Sequence, residues 1–298
     1  MKHWAQIKEK SAGKKRLFLT FLTYKTFGIF GVYSIAFFVG LFTYIFSPDL
    51  RSYSKKYFSV IQKYTNLKPT HFNSIKQVLS YAFSLADKIA IFSGGFDPSR
   101  LVFNSENDRE NILNDIKNKR GIIFIFTHIG LIEALQLLFF KGQSNSNLKI
   151  NAFSSSVQSK MFNSFLSKIK KKIPLNIIST ENFAIVDAVN MQKQLSDGEI
   201  YFISGDRISD NLKSKNMSAQ IFSKKILLPY GSFKIAQLSG ASIYFVSAVR
   251  EKNNYKIYID KPSDISLSSL KNDFSRYLEK VILKHPFQFY NFYDYFID

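Results

Sequence analysis

The run GIIFIFTHIGLIEAL, residues 121–135, decides the fold. Its first six residues are almost wholly Ile and Phe, the composition of a strand buried on both faces of a sheet. Thr127, His128, Ile129 and Gly130 then form a turn, and residues 131–140 are spaced as a helix. The same alternation continues downstream. Strands are expected at 148–153, 175–178, 199–203, 243–249 and 255–259, helices at 157–172, 183–195, 233–238 and 267–283, and a hairpin within 220–228. Residues 93–120, with Gly94, Gly95, Pro98 and a polar run, start as loop. Strands alternating with helices imply an α/β domain with a mostly parallel sheet.

Upstream the character changes. The first 26 residues carry seven basic groups against one acid, Glu9. Residues 27–46, FGIFGVYSIAFFVGLFTYIF, then run without a charge until Pro48 and Asp49 stop the segment. Twenty residues of helix span about 30 Å, the thickness of a bilayer core. The stretch is longer than the apolar part of a signal peptide, and no small-x-small cleavage pattern follows it. Arg51, Lys55, Lys56 and Lys63 lie beyond it, so both flanks are basic. A single crossing puts one basic flank on the wrong side; a monotopic or re-entrant segment does not. Residues 17–24 are also apolar, and residues 74–92 read as an amphipathic helix. Two parts result: a basic head with a membrane-anchoring helical segment at 1–50, and an α/β domain at 51–298.

The net charge is +19, which directs attention to acidic partners. Nucleic acid is disfavoured, because the charge is carried by lysine, with eight arginines among 41 basic residues. An anionic membrane surface or an acidic carrier protein fits better, although the richness in Lys, Asn, Ile, Phe and Tyr also has the cast of an AT-rich genome. There is no cysteine, which excludes disulfides, thiolate metal sites and a Cys nucleophile.

Of the four histidines, His3 lies in the basic head, His71 follows a proline loop and His285 precedes Pro286. Only His128 sits just past the carboxyl end of a buried strand, where α/β folds bind ligands. Glu133 follows five residues later, on the expected helix. A carboxylate on one imidazole nitrogen fixes the tautomer and raises the basicity of the other, which makes a general base. The plainer alternative is a polar strand-end histidine beside a glutamate favoured by the helix dipole. No metal site is expected, since the spacing is not H-E-x-x-H and no second histidine is near.

The segment H-I-G-L-I-E (128–133) resembles the H-x4-D/E motif of the lysophospholipid acyltransferase superfamily, and within it the late acyltransferases of lipid A synthesis. Three further stretches are similar in the same order. GEIYFISGDR (198–207) looks like the family strand ending in Asp-Arg. FSKKILLPYGSFKIAQLSGASIYFVSAVRE (222–251) resembles the block of hairpin, Pro, Gly, helix and strand. HPFQFYNFYDYF (285–296) is similar to the tail H-P-x-Q-W-x-N-F-Y-D-F-W. HWAQIKEKSAGKKR (3–16) also resembles a subgroup linked to glycolipid, amino-lipid or aryl-polyene pathways. The departures are Glu133 where Asp is common, no arginine-bearing block between Asn151 and Asn163, and Phe289 and Phe296 in place of tryptophans.

The resemblance implies a glycerol-3-phosphate acyltransferase-like fold: a twisted, mostly parallel sheet flanked by helices and tied to a membrane by the N-terminal segment. It implies transfer of a fatty acyl group from a thioester, on an acyl carrier protein or acyl-CoA, to a hydroxyl or amine of a membrane lipid at the bacterial inner membrane, facing the cytoplasm. His128 is then the general base and Glu133 its orienting partner, with backbone N–H groups after His128 meeting the oxyanion. Asp206, Arg207 and Gly130 line the substrate site, and Lys160 is either a contact for acidic groups or part of a solvated helix end. Arg207 has two readings, a phosphate fork or a structural pair with Asp206. Pro229 and Gly231 are structural. No cofactor is implied beyond the phosphopantetheine of the donor. The contrasting function is a non-catalytic, basic, membrane-associated scaffold of a lipid-synthesis complex.

Overall fold

A computed structural model describes residues 14–92, 95–137, 148–154, 175–179, 185–208 and 215–297. Seven strands form one twisted sheet in the order β1(Leu101–Phe103), β9(Asn254–Asp260), β8(Ser242–Glu251), β2(Ile122–Gly130), β5(Ile200–Ser204), β3(Ile150–Ser154), β4(Leu175–Ser179). All neighbours run parallel except β8 and β9, which form an antiparallel hairpin. A separate two-stranded hairpin, β6(Asn216–Ile221) and β7(Lys224–Pro229), turns at Phe222 and Ser223, both in the left-handed region.

Strand β2 sits at the centre because both its faces are apolar. Ile122, Phe124 and Phe126 enter one core cluster, while Ile123, Ile125 and Ile129 enter the other, as the two-residue period of a strand requires. The second of these faces is covered by α7(Leu267–Lys284), α2(Pro48–Ile61) and the β6–β7 hairpin, with Phe58, Phe233, Phe274 and Phe289 fully buried. Helix α6(Tyr230–Leu238) packs on α7, and α5(Ile185–Ser196) adds Met191 and Leu195. The opposite face is covered in part by α4(Glu106–Lys117), through Ile112.

Helix α1(Lys14–Phe46) is broken at Gly28, which has φ 63° and ψ −159°. The part after the break, Thr26–Phe46, is long and apolar enough to cross a membrane. It does not stand clear of the domain. It lies antiparallel along α3(His71–Phe92): the Tyr33 hydroxyl donates to Asp87, Gly40 meets Leu79 and Ala82, and Tyr44 Oη lies 2.6 Å from His71 Nδ1. Phe27, Phe30, Phe38, Phe42 and Phe46 remain exposed on its outer side.

Several sequence expectations are corrected. Strand β2 does not stop at residue 126; it continues to Gly130 with a register shift against β8, so His128 lies within the strand rather than in a turn after it. A 3-10 helix, Ile132–Leu137, stands in place of the start of the expected helix 131–140. Pro48 ends the apolar run but occupies the first turn of α2, where its missing N–H costs nothing. The stretch 93–120 holds α4, started by Ser105, whose hydroxyl accepts from the Asp108 N–H at 3.3 Å. The expected helix 157–172, with Lys160, lies outside the described residues.

Between β5 and Asp206, Gly205 allows two layers to meet. A Cβ there would sit 2.5 Å from both Ile125 Cγ2 and Phe274 Cζ. Gly205→Ala is therefore expected to lose about 1–3 kcal/mol, the usual cost of overpacking a core. The loss should appear as a lower midpoint in thermal unfolding of detergent-solubilised protein, and an unchanged midpoint would remove the packing argument.

Candidate active site

His128 and Asp206 come from the carboxyl ends of adjacent parallel strands, β2 and β5. Ligands gather at that end of an open α/β sheet. The Gly205 N–H donates to the Phe126 carbonyl at 2.9 Å and holds the two strand ends together. Asp206 is fully buried, and both its carboxylate oxygens meet His128, with the Ser204 hydroxyl also donating to Oδ1 at 3.4 Å. Oδ1 lies 2.6 Å from His128 Nδ1, and Oδ2 accepts the His128 backbone N–H at 2.7 Å.

This arrangement sets the protonation states. Burial alone would raise the Asp206 carboxyl; contact with the His128 ring, the Arg207 charge and the His128 backbone N–H outweigh it and hold the carboxyl below its ordinary value. An ionised Asp206 requires a proton on His128 Nδ1, which leaves Nε2 with its lone pair. Burial and then the Arg207 charge push the imidazole below its ordinary value, against the pull of Asp206. The ring is therefore neutral at pH 7, with 26% of its side chain open. An oriented, neutral, partly accessible imidazole can take a proton from a bound alcohol or amine.

Glu133 is not the carboxylate on the ring. It forms an ion pair with Lys88 of α3, and that charge outweighs burial to hold it below the ordinary range. The expectation that Glu133 orients the imidazole assumed an α-helix over 131–140 with Glu133 in its first turn. A strand running to Gly130 and a 3-10 helix put Asp206 at Nδ1 instead, and Glu133 acts on His128 through its field. Among the N–H groups after His128, those of Ile129, Leu131 and Ala134 are bound to Thr127, Ala248 and Leu131 respectively.

Arg207 turns toward the C-terminal tail. Its Nε donates to Asn291 Oδ1 and its terminal nitrogen to the Tyr290 carbonyl, both at 3.2 Å. The tail is further fixed by Gln77, which donates to the Phe289 carbonyl at 2.7 Å, and by a bridge between Phe289 and Ile129. Asn291 Nδ2 is buried and has no hydrogen-bond partner among the described residues. Nothing in the sequence pointed to Asn291 beyond its place in the tail motif. Gly130, at φ 74°, lies directly against the Ala248 carbonyl, where a Cβ would collide with backbone. Among the described residues no three His, Asp or Glu side chains gather as a metal site would need.

No family model matches the chain, and no curated protein matches it.

The pair predicts a pH profile. Activity that needs neutral His128 is present above its folded pKa and falls as pH drops through it. The acid limb of kcat/KM should thus lie below pH 6.5, the ordinary histidine value. Asp206→Asn offers Nδ1 an amide donor, which favours the tautomer with Nε2 protonated. A rate loss on the order of 10² to 10⁴ is expected, larger than that of Glu133→Gln. A pH series on the three proteins decides it; equal losses in the two variants would reject the assignment of roles.

Proposed function

We propose that this chain is an acyltransferase that moves a fatty acyl group from a thioester donor to a hydroxyl or amine of a membrane lipid. The observation that carries the reading is the buried Asp206 carboxylate on Nδ1 of His128, which leaves Nε2 as a base at the ligand-binding end of the sheet. The ordered resemblance of four segments to the lysophospholipid acyltransferase superfamily supports it, as does the apolar helix beside the site.

The chemistry is short. His128 Nε2 takes the proton of the acceptor hydroxyl or amine as its oxygen or nitrogen attacks the thioester carbonyl. The tetrahedral intermediate collapses, the C–S bond breaks, and the imidazolium returns its proton to the departing thiolate. Asp206 stabilises the transient imidazolium and keeps the ring in place. No protein nucleophile is required, because a thioester is already activated. The phosphopantetheine belongs to the donor, an acyl carrier protein or acyl-CoA. A net charge of +19 favours the acidic carrier.

The same reading places Thr26–Phe46 in one leaflet of the bacterial inner membrane, with the domain in the cytoplasm. A crossing helix would carry α3 with it, and α3 holds Asp87 at the depth of Tyr33, with Lys88 next to it. Charges there are costly. An in-plane helix keeps them at the headgroups and buries the exposed Phe ridge in lipid.

Two outcomes are expected. The purified protein should release acyl groups from radiolabelled acyl carrier, and His128→Ala should lower the rate on the order of 10² to 10⁴ with unchanged circular dichroism. Wild-type-like turnover by folded His128→Ala would sink the mechanism, and no turnover by wild type on either donor would return the scaffold reading. Epitope tags before residue 1 and after residue 298 should both be shielded from protease outside intact spheroplasts, whereas a crossing helix exposes one of them.

A further inference from the structure

Strand β2 loses its register just where it carries His128. Phe126 pairs with Val246 of β8, and the next pair is Gly130 with Ala248. Thr127, His128 and Ile129 therefore stand opposite the single residue Ser247. Bulges are rare between parallel strands, and beside active sites they re-aim a side chain. A bulge forfeits the regular ladder, so its backbone N–H groups need other acceptors. The His128 N–H meets Asp206 Oδ2 at 2.7 Å, and the Ile129 N–H meets Thr127 Oγ1 at 3.3 Å. Beyond the bulge, the Leu131 N–H returns to the Ala248 carbonyl at 2.7 Å.

The side chains beneath the bulge form a chain of hydroxyls. Thr127 Oγ1 lies 2.6 Å from Ser247 Oγ. The Tyr277 hydroxyl of α7 lies 2.9 Å from both Ser247 Oγ and the Tyr258 carbonyl of β9. All three side chains are buried, Thr127 and Ser247 completely. Their surroundings are otherwise apolar: Ile123 and Ile125 precede Thr127 on the same face of β2, and Phe245 and Val249 flank Ser247 on β8. The Tyr277 ring is held between Phe245 and Phe274. Packing alone would be served by valine at 127 and alanine at 247, since a buried hydroxyl costs free energy unless it is bonded. The bulge supplies the reason for the hydroxyls. It leaves a backbone N–H that Thr127 accepts, and Ser247 and Tyr277 hold Thr127 from below.

We propose that Thr127, Ser247 and Tyr277 are positioning residues for His128, a strut that holds the bulge in the geometry in which the imidazole meets Asp206. This rests on the reading of His128 as the base and deepens it. Asp206 fixes the ring from β5, and the hydroxyl chain fixes the backbone under it from α7. The competing arrangement is regular pairing of β2 with β8. It would put His128 opposite Ala248, where Gly130 now stands, and break the two-point contact with Asp206.

The test is solid-state nitrogen-15 spectroscopy of histidine-labelled, full-length protein in phosphatidylcholine bilayers at pH 7, alongside acyl-transfer kinetics. His128→Ala identifies the His128 signals by their loss. Wild type should show one neutral tautomer, protonated at Nδ1. In Thr127→Val and in Ser247→Ala the ring should leave Asp206 and populate both tautomers. In both, kcat should fall on the order of 10 to 10² with KM within about twofold, as expected of a displaced base rather than a damaged binding site. Thr127→Ser keeps the hydroxyl and should restore the single tautomer and most of kcat. Tyr244→Phe is the control. It removes another buried hydroxyl from β8, the one that donates to Asp115 at 2.6 Å on the opposite face of the sheet. It should lower the melting midpoint and leave the tautomer alone. A wild-type tautomer in either Thr127→Val or Ser247→Ala would overturn the proposal even if the rate falls, and so would a mixed tautomer in Tyr244→Phe. The tautomer is read without substrate, so a protein that transfers no acyl group still decides the strut, and the two failures are told apart.

Discussion

The buried carboxylate of Asp206 is the constraint around which this end of the molecule is built. A charge with no exposure is tolerated only when its oxygens are satisfied; His128 meets one with its ring and the other with its backbone, and the Ser204 hydroxyl adds a donor to the first. That requirement fixes the spacing of β2 and β5 at their ends, demands a glycine at 205 for the close approach, and selects one tautomer of the imidazole. Catalytic geometry and core packing are here the same contacts.

The tail and the domain are joined through Arg207. By donating to Asn291 and to the Tyr290 carbonyl, it closes the residues after β5 against the last segment of the chain. Phe289 then packs on Tyr57 of α2 and on Tyr295, so the tail is part of the principal core. Arg207 is thus clamped to the tail by hydrogen bonds. Its charge still reaches the pair and lowers the imidazole.

A second buried acid organises the other side. Asp87 gathers Tyr33 from α1, Tyr255 from β9 and Arg250 from β8. Through it the apolar helix is tied to the sheet. An element that would otherwise read as a detachable anchor is thereby built into the domain.

The sequence by itself determined the alternation of strand and helix, the burial of β2, the hairpin before Pro229 and the apolar segment, because each rests on local period and composition. It also singled out His128, since a histidine past a buried strand stands out without any partner. What it could not determine was which carboxylate the imidazole meets. Glu133 is near in sequence and Asp206 is 78 residues away. Only the parallel pairing of β2 with β5 brings the distant one into contact, while Lys88, itself remote, draws the near one off. Helix α4 was obscured for a related reason: its face is largely polar, and its start is marked by a single serine cap rather than an apolar stripe. Local pattern specifies elements; long-range pairing, satisfied charge by charge, decides the site.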